Sequence, residues 1–371
     1  MNRGITLGRI AGIPIGLDYS WFLIFGLLTW TLAADQFPTQ YPGWPSAQYW
    51  VIGAVAAIML FVSVLLHELG HSVVAIRYQI PVRSITLFIF GGVAQIGAEP
   101  PSAGADFWVA IAGPVVSFAL AILFWLLSSA LHSVAPLLAL ATYLAYINGA
   151  LAAFNLIPGF PLDGGRVLRA ALWGATHSLR SATLIAANVG RVIAYLFIVG
   201  GVWLVFTGNV GNGLWIAFIG WFLESAASAQ VSEQRLHDWL AGHKVAEVMN
   251  HTVATVRPDI TLQALVDQHI LVDGQRAFVV AHDDAIDGLL TLHHVKDIPH
   301  KAWPTTTVAQ AMLPTSQVIT VAPDEEIWTA LEEMDRDGVN QLPVMVAGRV
   351  VGMLTREDLI TFLRRLRAAN S

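Results

Sequence analysis

The 371-residue chain contains no cysteine. Disulfides and thiolate metal sites are therefore excluded, and any metal centre has to be built from histidine and carboxylate. Charge is scarce too: 12% of residues are Asp, Glu, Lys or Arg, against about 25% in an ordinary soluble domain. The scarcity is uneven. Residues 1–230 hold no lysine, eight arginines and seven acidic residues, whereas the rest of the chain holds 12 basic and 19 acidic ones. The first part therefore reads as membrane-embedded and the second as an ordinary, mildly acidic soluble domain. No basic stretch is long enough to collect phosphates, which sets nucleic acid aside as a partner. The first apolar stretch lacks a small-residue cleavage site and reads as a retained helix, not a signal peptide.

What is present is apolar: 55% of the residues are hydrophobic. A spanning helix needs roughly 20 of them in a row. Six stretches qualify, at about 14–33, 48–76, 106–131, 136–156, 182–206 and 213–230. Arginines flank them on one side only (Arg3, Arg9, Arg77, Arg83, Arg166, Arg169, Arg180), while the loops 34–47, 132–135 and 207–212 carry no Lys or Arg. By the positive-inside rule both termini face the cytoplasm, and Trp44, Tyr49 and Trp50 suit an interfacial belt on the far side. The segment 81–98, PVRSITLFIFGGVAQIGA, is too short to span and is rich in β-branched and aromatic residues. It reads as a β-hairpin or loop re-entering from the cytoplasmic side, tolerable at depth only where protein or a wet cavity surrounds it. The expected fold is thus a polytopic α-helical membrane protein of a prokaryotic-type cell membrane, with six transmembrane helices and a short re-entrant β segment. Residues 1–230 form that part, 231–244 a linker, and 245–371 a cytoplasmic α+β module.

Within the second apolar run lies VSVLLHELGH, residues 62–71. On a helix, His67 and His71 sit about 40° apart around the axis, so both imidazoles can bind one metal ion. Glu68 stands about 100° round from His67, beside the metal, where it can take a proton from water. This is the HExxH arrangement of zinc metallopeptidases, and ionisable groups inside a span usually mark function. A catalytic zinc takes three protein ligands. The best third candidate is Asp163, in NLIPGFPLDGGR (155–166). Pro158 and Pro161 stop a helix and glycines permit a tight turn there. The alternative is that Asp163 caps a short helix beginning near Val167. Asn155 can donate to a scissile carbonyl or its oxyanion, or bond local backbone at a helix end. Gly113-Pro114 and Ser117 read as close helix packing, Glu224 as an acid that snorkels to water, and His293-His294 as a surface pair.

HELGH in one membrane helix and NLIPGFPLDGGR after another resemble the site-2 proteases, the intramembrane zinc metalloproteases of peptidase family M50. GRIAGIPIGLDYSWF, FGGVAQ and AGPVVSF extend the resemblance over most of residues 1–230. It implies one zinc ion per chain held by His67, His71 and Asp163, Glu68 as catalytic base, and Asn155 helping to hold substrate. It also implies six core helices with the site nearer the cytoplasm. The substrate class it implies is a single-span membrane protein, of the anti-sigma-factor or membrane-tethered-regulator type, whose span must unwind. Gly91, Gly92 and Val93 would receive the extended substrate as an added strand; a plug or packing loop is the other reading of that stretch.

Residues 245–370 repeat at an offset of 63–65: VAEVMNH with VAQAMLP, TVRPDITLQAL with TVAPDEEIWTAL, GLLTLHHV with GMLTREDL. Such repeats are read as stacked units, here about 245–304 and 305–371. The pair resembles tandem CBS modules, which implies AMP or ATP binding and possible homodimerisation. The family's Thr-x-x-Asp survives as Thr355 and Asp358. In the first unit Thr291 is present, but His294 stands where the Asp is expected, which puts that nucleotide site in doubt. Two rivals stand beside a nucleotide-regulated protease: a nucleotide-gated ion transporter, and a catalytically inactive membrane scaffold. A transporter has no need of a base beside a three-ligand site, and a scaffold has no need of Glu68.

Overall fold

The computed structural model of the chain describes residues 4–271, 275–282 and 285–369. Arg3, one of the arginines that orient the membrane half, lies outside the described residues. The chain divides into two compact units, Met1–Gln234 and Arg235–Ser371.

The first unit opens with a hairpin of β1 (Gly4–Ile10) and β2 (Ile13–Asp18), turned at Ala11-Gly12, where both residues have positive φ. Helices α1 (Ser20–Thr31) and α2 (Phe37–Gln40) follow, joined by one π-helical turn, Leu32–Gln36. Then come α3 (Ser46–Arg77), the hairpin β3 (Val82–Phe88) and β4 (Gly91–Ile96), α4 (Ala103–Ala130) and α5 (Ala135–Asn155). The short α6 (Asp163–Thr176) precedes α7 (Leu179–Phe206) and α8 (Val210–Leu240).

Among the described residues five helices, α3, α4, α5, α7 and α8, are long and apolar enough to cross a membrane. The sixth expected span, 14–33, is not one uninterrupted helix. Ile13, Ile15 and Leu17 are buried and alternate with half-buried residues, a period of two that belongs to a strand. They pair with β1 and β3, so the helix begins only at Ser20. Further on, Pro38 has no N–H to offer the carbonyl one turn back, and the ladder widens there into the π turn. The helix surfaces are what lipid requires: Phe206 is 83% exposed and Trp203 69%, exposure that water would not tolerate over so wide an apolar patch.

The four strands form one sheet in the order β1-β2-β3-β4. β2 runs parallel to β3, with Ile15 opposite Ile85, and β3 runs antiparallel to β4, with Thr86 opposite Val93. Ile13, Ile15 and Ile85 bury their side chains against Leu65 and Leu69 of α3. The sheet therefore lies on one face of the helix that carries HELGH, and β4 is its edge.

In the second unit the repeat is visible as matched hairpins. β5 (Thr255–Val256) runs beside β6 (Ala277–His282), which pairs with β7 (Ala285–Thr291); after β8 (Leu313–Pro314), β9 (Gln341–Val346) pairs with β10 (Arg349–Thr355). Phe278 faces Leu290 as Leu342 faces Leu354, and each hairpin breaks register at the corresponding place, beyond Val280–Gly288 and Val344–Gly352. Entry segments are exchanged: Leu313 pairs with Leu289 of β7, while Asn250 bridges to Met353 of β10. The second half therefore supplies a short strand to the first half's sheet, and the first half returns a single bridge.

Candidate metal centre

α3 presents two faces. Leu65 and Leu69 face the sheet; Ser63, His67 and His71, each four residues apart, are buried on the other side. His67 and His71 are each 4% exposed. The chain leaves α5 at Asn155, turns through a cis Phe160–Pro161 bond, and re-enters helix at Asp163. The cap residue of α6 is Leu162, without a side-chain cap, so Asp163 does not serve as the cap. A Cβ at Gly164 or Gly165 would strike the backbone of Leu156, Ile157, Gly159 or Phe160. Only glycine lets the first turn of α6 fold back on the end of α5 in this way, and that fold-back brings Asp163 to the histidines.

Three atoms converge as a result. His67 Nε2 lies 3.1 Å from Asp163 Oδ2, His71 Nε2 lies 3.2 Å from the same oxygen, and the two Nε2 atoms are 3.2 Å apart. His71 Nδ1 is 2.7 Å from the Val109 carbonyl, which can only accept. Nδ1 therefore carries a proton, and in the neutral ring Nε2 offers a lone pair. A lone pair facing a carboxylate oxygen and a second imidazole in a buried site calls for a cation. Ligand atoms roughly 2.0–2.1 Å from a tetrahedral zinc stand about 3.3 Å from one another, so the triangle fits that ion. The backbone makes room as well. A Cβ at Gly113 of α4 would collide with His71 Nε2 and stand 2.7 Å from His67 Nε2. The hollow against the metal-facing atoms exists because residue 113 has no side chain.

Glu68 lies on the sheet side of the centre, within electrostatic reach of His67, His71 and Asp163, with the Ala94 backbone amide against its carboxylate. A Cβ at Gly92 would stand 2.7 Å from Glu68 Cγ. The expected substrate-strand residues Gly91, Gly92 and Val93 therefore sit in the edge strand directly beside the expected base, with Val93 exposed. The hairpin's turn residue Phe90 packs at a tilt on Phe222 of α8, 4.7 Å between centroids. Asn155 is half-buried at the end of α5, at the start of the loop that delivers Asp163.

Other residues of the site carry little signal in the sequence. Ser117 Oγ lies 2.8 Å from His67 Nδ1, so Ser117 and Gly113 do more than pack. Asp106, fully buried on α4, makes a forked ion pair with Arg169 of α6, both contacts 2.7 Å, and a third contact of 3.3 Å to Arg166. Glu224 pairs with Arg191 at 3.5 Å and accepts from Ser228, so it is partnered within the helices rather than simply snorkelling. In the second unit Asp358 accepts from the Thr355 amide and hydroxyl, at 3.0 and 2.6 Å. His294 takes the corresponding place in the first repeat, its Nδ1 accepting weakly from the Thr291 amide. Burial, and then the neighbouring His293, hold its pKa below the ordinary value, which favours the neutral imidazole.

Two imidazoles at i and i+4, a carboxylate from a second segment and a flanking glutamate make up a metallopeptidase-type centre set among apolar helices. The model of peptidase family M50 matches residues 55–137 and 129–199, and the CBS domain model matches 308–365. The zinc metalloprotease Rip3 of Mycobacterium tuberculosis is 37% identical over all of this chain and 95% of its own length. The zinc metalloprotease sll0528 of Synechocystis is 34% identical over 98% of this chain and 96% of its own. The site-2 protease structure from Methanocaldococcus jannaschii is similar at 30% identity, covering 61% of this chain and 94% of that one, with a TM-score of 0.43. The chain belongs to peptidase family M50, the family its motifs resemble, and it is a zinc metalloprotease with a C-terminal CBS pair.

Proposed function

We propose that the chain is an intramembrane endopeptidase that cuts the transmembrane segment of single-span proteins, with His67, His71 and Asp163 holding one zinc ion and Glu68 as the base. The observation that carries this is the buried triangle of acceptor atoms, 3.1–3.2 Å on each side, in a helix long enough to span. A zinc ion there, when bound, acidifies water and polarises the peptide carbonyl. Glu68 takes the proton of the attacking water as its oxygen bonds to the carbonyl carbon, and delivers it to the amine nitrogen as the C–N bond breaks. Asn155, on the loop that delivers Asp163, donates to the carbonyl oxygen. β4 offers an open edge beside Glu68, onto which an unwound substrate adds as a strand across Gly91, Gly92 and Val93.

The helical run from Ser20 to Gln40 is the sixth span in this reading, about 30 Å long at 1.5 Å per residue. An even number of spans then places both termini and the CBS pair in the cytoplasm. Thr355 and Asp358 hold the ribose of AMP or ATP in the second repeat; beside Thr291, His294 leaves the first repeat without the matching carboxylate. Substrates are membrane-tethered regulators of the anti-sigma type, and the CBS pair is the dimer contact.

The test is cleavage of a single-span substrate in proteoliposomes, with the products sized by mass spectrometry. A cut inside the span, abolished by a zinc chelator and restored by zinc, is the expected result. A cut outside the span, or one indifferent to chelation, overturns the reading.

A further inference from the structure

α4 supplies no ligand, yet its residues touch both histidine ligands and, through Arg169, the helix that carries the third. Asp106, Val109, Gly113 and Ser117 follow at intervals of three, four and four, which puts them on one face of the helix. The Val109 carbonyl accepts from His71 Nδ1 at 2.7 Å, and Ser117 Oγ meets His67 Nδ1 at 2.8 Å. Gly113 leaves open the space against both Nε2 atoms. Asp106 acts at a distance: its fork grips Arg169, six residues along α6 from Asp163, with Arg166 between them. A helix is stiff over two turns, so fixing Arg169 and Arg166 fixes where its first residue points.

We propose that this face of α4 is the template of the metal centre, with Asp106, acting through Arg169, as the positioning residue for Asp163, and Ser117 as the one for His67. The choice of residues supports a positional role over mere adhesion. A fully buried carboxylate paired with two of the eight arginines in residues 1–230 is an expensive way to attach one helix to another. Apolar contacts would serve for attachment; a two-pronged fork sets angle and register. Imidazole ligands likewise depend on what holds the other ring nitrogen.

The inference rests on the proposed ligand set, and zinc binding by the unaltered chain tests that separately. Its own test uses full-length protein in lipid nanodiscs, comparing Asp106→Asn, Arg169→Lys, the exchange Asp106→Arg with Arg169→Asp, and Ser117→Ala. Zinc loss to a competing chelator is timed, and the visible spectrum of the cobalt(II)-loaded protein reports ligand geometry. Asp106→Asn, Arg169→Lys and Ser117→Ala are expected to release zinc about 10–100-fold faster and to shift the cobalt bands. The exchange is expected to recover most of the loss. If the wild type holds zinc and all three single variants release it at the wild-type rate with an unchanged cobalt spectrum, the template idea is wrong and α4 is a strut. If Asp106→Asn does not fold, Ser117→Ala decides: an unchanged rate and spectrum overturn the proposal, and faster loss supports it.

Discussion

Gly113 shows how one missing side chain makes a site. In a helix interior, alanine is favoured over glycine by about 1 kcal/mol. Helix propensity alone therefore predicts that Gly113→Ala stabilises the protein. The geometry predicts something else, because the added Cβ would stand on the metal-facing nitrogens of His67 and His71. The expected result is a folded protein that no longer retains zinc, measured as zinc per chain after gel filtration. Gly92→Ala presses on Glu68 and not on the ligands, so zinc content stays and kcat falls about tenfold or more as the base is displaced. At this scale the sequence is most legible where chemistry forces spacing. His67, Glu68 and His71 are three costly side chains in an apolar run, and Asp163 lies in a stretch that cannot be helix. Asp106 carries no such mark, and Gly113 and Ser117 are marked only as part of AGPVVSF, a stretch whose chemistry the sequence does not reveal. An aspartate near a helix start, a glycine and a serine have ordinary structural explanations, and only the crossing of α3, α4 and α6 gives them another.

At the level of elements, β4 is the informative one. Its N–H groups point alternately toward β3 and toward the open edge. Of Val93 and Ala94, one therefore donates into the ladder and the other away from it; the Ala94 amide lies against the Glu68 carboxylate, so losing it also disturbs the base. Proline removes the donor in either case. If a substrate adds to this edge, both Val93→Pro and Ala94→Pro abolish cleavage while zinc content stays at the wild-type level, and only one of them loosens the hairpin. Normal cleavage by the variant that leaves the hairpin intact means that the substrate does not use the edge. The hairpin was readable from β-branched and aromatic residues broken by Gly91-Gly92. The first span was read less well. IPIGLD is apolar enough to extend a helix, but its alternation is that of a strand, and its partners, β1 and β3, lie on either side of it in the sheet and far apart in the chain. Average hydrophobicity cannot distinguish those cases; burial on every second residue does.

Across the whole molecule, the repeat was legible because both copies keep their turn and cap residues, and it reappears as equivalent hairpin registers. The departure at His294 carries a quantitative expectation. A carboxylate accepts two hydroxyl donors, which a neutral imidazole nitrogen cannot do. Calorimetry on the full chain should find one AMP or ATP per chain, none after Asp358→Ala, and two after His294→Asp. Two sites in the wild type would show that the histidine is no defect. The absence of cysteine helps with topology: single cysteines at Thr39 and Ser232 should be labelled from opposite sides of sealed vesicles, with Ser232 on the cytoplasmic side. Labelling from one side contradicts the six-span arrangement.

The most direct test of the account is Glu68→Gln, which keeps the size of the side chain and removes its basicity. Zinc per chain and cleavage of a single-span substrate are measured on the same purified samples. Wild-type zinc with cleavage reduced about 10²–10⁴-fold is the expected result. Equal cleavage by the two proteins, or loss of zinc from the variant, would contradict the assignment of Glu68 as a base beside a centre made of His67, His71 and Asp163.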